Sequence, residues 1–293
     1  MAGAETNLEQ KRKRAMARLK AALENPTLLT EVPPAGRSEP APAGLSALGL
    51  ALRNWRAFLR GGLAAALEAE QPLAGEPSLR DPFRMTVAEY HQRYFQSTFM
   101  RNIFWMGVPT LKMVSDLWIY QEIIHQARPD IVVEIGSHFG GSTLFLAHLL
   151  DQVGHGDILS IDISREVYLA KHPRISEITG DSGSGAVIEQ VRERTAGLKT
   201  MVVHDGDHSE AAVRRDLEAY GDLVSRGQFL IVEDSIVDVF NPARYRLREM
   251  DGGPLPAIRA FVEARPGRFE ITDLHRRFLL SASPFGYLKR IED

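Results

Sequence analysis

From about residue 113 onward, short apolar runs alternate with segments of helical length, and this alternation limits the fold more than any other feature of the chain. The runs fall near 131–135, 157–162, 175–179, 200–204 and 228–233. Between and around them, helical patterns occupy about 113–127, 141–152, 184–195, 209–225 and 255–265. The runs are continuously apolar, as strands are when both faces are buried. Strands of that kind alternating with helices predict a parallel, doubly wound α/β sheet of Rossmann-like type. Three segments of the tail, Phe269–Thr272, Arg277–Ser281 and Tyr287–Ile291, suggest a terminal antiparallel pair within 268–292. No internal repeat is present.

The first third reads differently. Residues 5–24 have the pattern of a charged helix that stops at Asn25-Pro26. Residues 32–44 are rich in Pro, Ala and Gly, as linkers are. A second helix is expected at about 45–70, followed by a loop to Pro82. Arg53, Arg56 and Arg60 interrupt its apolar span and share one face, so the reading is an amphipathic helix and no membrane insertion. Met1 to Lys20 lacks the apolar centre of a signal peptide. The organisation expected is a helical N-terminal extension over 1–80, acting as an oligomerisation arm or lid, and one α/β domain over 81–293. That arm and the strand-rich C-terminus point to a homo-oligomer.

Composition narrows the chemistry. The 293 residues are 44% hydrophobic and 25% charged, with net charge −3. That balance gives no bulk electrostatic case for nucleic acid or acidic membranes. There are no cysteines, which removes disulfides, zinc–thiolate centres and thiol nucleophiles together and fits a cytoplasmic protein.

The first run of the alternating region ends in a glycine turn, Glu134-Ile-Gly-Ser-His-Phe-Gly-Gly-Ser142. Glycine permits positive φ and close approach of backbone to a ligand, and the helix that follows offers free N–H groups. Glu134, Gly136, Ser137 and Ser142 are therefore candidate cofactor-binding residues. Asp162 ends the second run, where a carboxylate can accept both hydroxyls of a ribose. These two features fit NAD or S-adenosylmethionine equally on physical grounds, although the spacing departs from Gly-x-Gly-x-x-Gly. Asp181 and Ser182, after the third run, are in place for an adenine edge or for a helix N-cap.

Acids gather at the ends of the last two runs. Asp205 follows the fourth run in Met201-Val-Val-His-Asp-Gly-Asp-His-Ser209, and Glu233 and Asp234 follow the fifth. One strand end, one helix and one strand separate Asp205 from Glu233, so neighbouring strand ends bring them together. Three hard oxygen ligands without cysteine point to Mg²⁺, with Mn²⁺ and Ca²⁺ as related choices. Without a cation, three packed carboxylates would repel and shift their pKa values. Asp205 also borders the cofactor side, and Asp207 suits the start of the next helix. His208 lies three residues after Asp205, where a neutral imidazole can take a proton as general base.

The ordered set of segments resembles the cephalosporin hydroxylase family, a branch of the S-adenosylmethionine-dependent methyltransferases. The matching segments are Trp105-Met-Gly107, Asp116 to Glu122, Arg128 to Ser137, Gly140 to Ser142, His172 to Ile175, Gly180 to Ser182, Asp205 to Ser209, Leu230 to Asp234 and Pro284 to Arg290. The resemblance implies a class I methyltransferase fold, with seven strands of which the last is antiparallel. It also implies likeness to metal-dependent sugar O-methyltransferases. On that reading the cofactors are S-adenosyl-L-methionine and Mg²⁺. Asp162 holds the ribose, Gly136 lies near the methionine tail, Asp205, Glu233 and Asp234 hold the metal, and His208 is the base. The expected partner is a small hydroxylated acceptor, with no nucleic acid. The alternatives are a cofactor-binding accessory protein of a natural-product hydroxylation or methoxylation step, or an NAD-dependent oxidoreductase. Trp105, Tyr120, Phe139 and Phe285 are candidates for an acceptor site, with the core as the simpler reading.

Overall fold

The computed structural model describes residues 103–239 and 252–292, together with Thr86, Val87, Tyr90, His91 and Tyr94. The chain divides into two compact units, Met1–Asn102 and Ile103–Asp293. The helices expected at 5–24 and 45–70, and the linker between them, lie outside the described residues.

The second unit opens with a short antiparallel ribbon, β1 (Phe104–Trp105) and β2 (Val108–Pro109). Helix α1 (Val114–Ala127) follows, and then the alternating region: β3 (Ile131–Ile135), α2 (Gly141–Val153), β4 (Asp157–Asp162), β5 (Ile175–Thr179), α3 (Gly185–Thr195), β6 (Thr200–His204), α4 (Glu210–Tyr220) and β7 (Phe229–Val232). Helix α5 (Pro254–Glu263), β8 (Phe269–Ile271) and β9 (Tyr287–Arg290) complete it. Four of the five expected strands match residue for residue, and the fifth is shorter by a residue at each end. Helix α4 stops five residues early, at Gly221, where a Cβ would meet the Phe261 ring at 2.4 Å. Arg277–Ser281 is not a strand. It follows a 3-10 turn at Asp273–Arg276, and Leu279 has φ 62, outside the extended region.

Seven strands form one sheet in the order β5-β4-β3-β6-β7-β9-β8. All neighbours are parallel except the pairs that involve β9, which runs against both β7 and β8. This is the arrangement that the family resemblance implies. Alternate strand residues feed two separate cores. Val133, Ile135, Leu159, Ile161, Val202 and Leu230 pack with residues of α3, α4 and α5. Val132, Ile158, Met201, Val203 and Ile231 pack with α1 and α2 on the other face. Both faces of β3, β6 and β7 are covered and these strands are buried throughout, whereas the edge strand β5 exposes Ser176, Glu177 and Thr179.

One polar tie crosses the second core. Asp116, in the first turn of α1, accepts Ala282 N–H at 2.8 Å and the Tyr287 hydroxyl at 2.9 Å, joining the helix to the tail and β9. Burial drives its carboxyl up to about 7, while those hydrogen bonds oppose the rise. Asp116→Ala would leave two buried donors unpaired, each costing about 1–3 kcal/mol. Chemical denaturation of Asp116→Ala should show a loss of about 2–4 kcal/mol, and Tyr287→Phe a smaller loss of about 1 kcal/mol.

Candidate active site

The strand register decides what meets at the C-terminal edge of the sheet. Ile135 pairs with Ile161 on one side and with His204 on the other, and His204 pairs with Val232. The residues that follow are Gly136, Asp162, Asp205 and Glu233, so four consecutive positions of the edge are the expected site residues. Gly136 has φ 83, and a Cβ there would sit 2.2 Å from the Asp205 carbonyl oxygen. Only glycine lets the turn after β3 lie against the chain after β6.

A cavity of about 450 Å³ opens over this edge, within the usual ~300–1,000 Å³ of small-molecule sites. Gly136, Asp162, Asp181, Ser182 and Asp205 line it, together with His138, Ile163, Arg215 and Asp216. Glu134, Ser137 and Ser142 are not among its lining residues and act from beneath it. Glu134 is fully buried, and the hydroxyls of Ser142 and Thr143 donate to its two carboxylate oxygens, the first at 2.6 Å. This pins the start of α2 to the end of β3. Burial raises the Glu134 carboxyl from its ordinary 4.5 to about 7, against the pull of both hydroxyls.

Asp162 is engaged from within the protein. Its Oδ2 accepts the N–H groups of Ser137 and His138 at 2.9 and 2.8 Å, and its Oδ1 accepts that of Ser164 at 3.0 Å. Burial works against its ionisation, but the three N–H donors outweigh that and hold the carboxyl below the usual range. Asp162 thereby fixes the glycine turn as well as bordering the cavity. Arg165 supports the same turn, donating to Ser137 Oγ at 2.7 Å and to the carbonyls of Ser160 and Ile178.

The far wall is a buried relay. Ser182 donates to Asp216 Oδ2 at 2.8 Å, and His204 Nε2 lies 3.2 Å from the same oxygen. Burial resists ionisation of Asp216, and His204, Ser182 and Arg215 reverse the balance to leave it below the usual range. Asp181 accepts Gly183 N–H and pairs with Arg215, while the N-cap of α3 is Ser184. Asp207 accepts Ser209 N–H at 2.8 Å just ahead of α4, the turn role that its position suggested.

Asp205 is common to the cavity and to the acid cluster. One oxygen each from Asp205 and Asp234 and a ring nitrogen of His208 lie within 4.8 Å of one another, close enough to hold one metal ion. His208 Nε2 is 3.2 Å from Asp234 Oδ2 and 4.0 Å from Asp205 Oδ1. Asp234 reaches this position from left-handed backbone, φ 56. Glu233 belongs to the cluster but turns inward. It is buried at 3% exposure, with Tyr120 donating to Oε1 and Lys112 Nζ 2.6 Å from Oε2. The same Nζ contacts Asp205 Oδ2. Burial pushes all three carboxyls up. Burial alone would lower the Lys112 ammonium, but Asp205 and Glu233 hold it above its ordinary value.

Lys112 was not anticipated from the sequence. Its signal was an isolated charge: between Asn102 and Ser115 it is the only charged residue. Tyr120 is a core residue that reaches into the cluster from α1, and Trp105 donates to His148 Nδ1 at 2.8 Å.

The Glu134 environment has a measurable consequence. A buried carboxyl with a raised value favours folding fully below about pH 4.5, and that contribution is lost as pH rises through about 7. Melting temperatures of Glu134→Gln and the parent, compared from about pH 5 to about pH 8, should therefore shift in favour of the variant as pH rises. A pH-independent difference would mean that Glu134 stays ionised in the folded protein.

Known proteins give this geometry a context. The sequence profile of the rhamnosyl O-methyltransferase/CmcI family matches residues 97–291. A rhamnosyl O-methyltransferase of Mycobacterium leprae is 36% identical over 194 residues, spanning 64% of this chain and 83% of the relative. A rhamnosyl O-methyltransferase of Mycobacterium bovis is 28% identical over 250 residues, spanning 83% of this chain and all of the relative. Among solved structures, a CmcI apo-structure aligns with TM-score 0.53 at 20% identity, over 83% of this chain and 96% of its own. A CmcI structure with Mg-SAM aligns with TM-score 0.52 at 19% identity, over 76% and 88%. At these identities the structures bear on the fold, and the profile match covers most of the α/β unit. The chain belongs to the rhamnosyl O-methyltransferase/CmcI family of class I methyltransferases.

Proposed function

We propose that the protein transfers a methyl group from S-adenosylmethionine to a hydroxyl of a sugar or sugar-bearing natural product, with Mg²⁺ at the acid cluster. The observation that carries this reading is the charge of the cluster. Asp205, Glu233 and Asp234 bring three negative charges and Lys112 returns one, which leaves two to be matched by a divalent cation. Uncompensated charge in a buried site is costly, and a divalent ion restores the balance. The oxygen-rich donor set suits Mg²⁺. The names of the relatives support the acceptor class, since both are rhamnosyl O-methyltransferases. A related CmcI structure holds Mg and SAM.

When bound, S-adenosylmethionine supplies an activated methyl group and Mg²⁺ supplies Lewis acidity toward the acceptor hydroxyl. The chain supplies the rest. Asp205 and Asp234 present Oδ1 and Oδ2 toward the shared centre and would hold the metal. Glu233 adds the third charge from behind, restrained by Lys112 and Tyr120. His208 accepts the acceptor's hydroxyl proton, and Asp234, 3.2 Å from Nε2, stabilises the imidazolium that results. Asp162 and the glycine turn shape the cofactor side. Ser182, held by Asp216, borders the opposite wall. Such a site accelerates the reaction chiefly by positioning and by fixed electrostatics.

Calorimetric titration tests the cofactor directly: S-adenosylmethionine should bind and NAD should not, and the reverse result would reassign the cavity. With a rhamnose-bearing acceptor, EDTA should abolish turnover and Mg²⁺ should restore it. His208→Ala should lower kcat by about 10²–10⁴-fold with little change in cofactor affinity. Full activity of that variant across pH would remove His208 as the base.

A further inference from the structure

We infer that Lys112 is a positioning residue that sets both the net charge and the aim of the acid cluster, making it selective for a divalent cation. The inference rests on the metal-dependent reading above. Lys112 is 4% exposed and arrives at the cluster by a short, constrained route. The β1–β2 ribbon is packed against α2, where a Cβ on Gly141 would meet the Pro109 carbonyl oxygen at 2.2 Å. Leu111 then adopts left-handed backbone, φ 55, immediately before Lys112. A leucine gains nothing from that conformation, and strained backbone of this kind persists only where the surroundings enforce it. The next residues begin α1, which carries Tyr120.

The ammonium reaches one oxygen of Asp205 and one of Glu233, and Tyr120 takes the other oxygen of Glu233. Both oxygens of Glu233 are thereby engaged. Asp205 keeps Oδ1 for the cluster, and Asp234 keeps Oδ2. Lys112 therefore does two things at once. It rotates Asp205 so that the free oxygen faces Asp234 and His208, and it cancels the charge of Glu233. Without it the cluster would carry three negative charges, and Glu233 would keep Tyr120 as its one remaining side-chain restraint among the described residues. The site would then bind ions more tightly and would favour a trivalent ion over a divalent one, because attraction scales with both charges.

The test uses the full chain and two probe ions, Mn²⁺ and Tb³⁺, titrated by calorimetry against the parent, Lys112→Met, Lys112→Arg and the pair Lys112→Met/Glu233→Gln. Lys112→Met should bind Tb³⁺ more tightly by about tenfold or more, and its Tb³⁺ gain should exceed its Mn²⁺ gain. Lys112→Arg keeps the charge and should retain the parent's preference between the two ions. The pair removes one charge of each sign and should also return to the parent's preference. It tests the same claim if the single variant does not fold, since the more deeply buried of the two carboxylates that Lys112 pairs is neutralised with it. An unchanged Tb³⁺-to-Mn²⁺ preference in folded Lys112→Met would overturn the inference, as would a pair that fails to restore it. If the parent binds neither ion, the metal-dependent reading falls and takes this inference with it, whereas parent binding with an insensitive Lys112 overturns the inference alone.

Discussion

A buried ammonium held between the buried carboxylate of Glu233 and the partly buried one of Asp205 organises the C-terminal edge of this sheet. Lys112 meets Asp205, which follows β6, and Glu233, which follows β7, while Tyr120 of α1 holds the other oxygen of Glu233. A lysine in such a place would shed its proton if it stood alone. Asp205 and Glu233 prevent that, and the lysine in turn allows two acids to sit side by side in the interior. Removing either partner would strand a charge away from water, which is far more costly than losing an exposed ion pair. Asp205, which faces the cavity, is thus held from behind by Lys112 and from the side by the sheet register.

The second constraint is close backbone approach. Gly136 allows the turn after β3 to touch the chain after β6, so cavity and acid cluster share Asp205 rather than standing apart. Asp162 draws the same turn toward β4 through the amides of Ser137 and His138. Glu134 anchors the start of α2 through two hydroxyls. Three carboxylates near one turn therefore have three different tasks: one fastens a helix, one folds the loop, and one joins the cavity to the acid cluster. Their protonation differs accordingly. Backbone N–H donors keep Asp162 ionised, while burial pushes Glu134 toward neutrality.

Much of the site was legible because sheet edges follow from local pattern. Short apolar runs define strands, the end of each run falls at the edge, and Gly136, Asp162, Asp205 and Glu233 stand at such ends. The offset of three between Asp205 and His208 placed the imidazole on the acids' side, as found. Lys112 and Tyr120 were harder to read, since they precede the sheet and reach the cluster across 93 and 113 residues of sequence. Glu134, Ser137 and Ser142 were legible as a group at the turn. Their orientation beneath the cavity depends on which way each side chain leaves the backbone, and no spacing rule supplies that.

The sequence by itself determined the α/β alternation, the parallel core of the sheet and the positions of the acids along its edge. Those properties depend on apolar periodicity and turn residues, which act over a few neighbours. Tertiary structure alone decided that Glu233 turns inward while Asp205 and Asp234 face His208, and that the expected strand at 277–281 is absent. It also decided that Lys112, between the ribbon and α1, lies against Asp205 and Glu233. Those outcomes depend on desolvation and on pairing between distant charges. Both take their sign from what surrounds a group in space, and neighbours along the chain do not fix it.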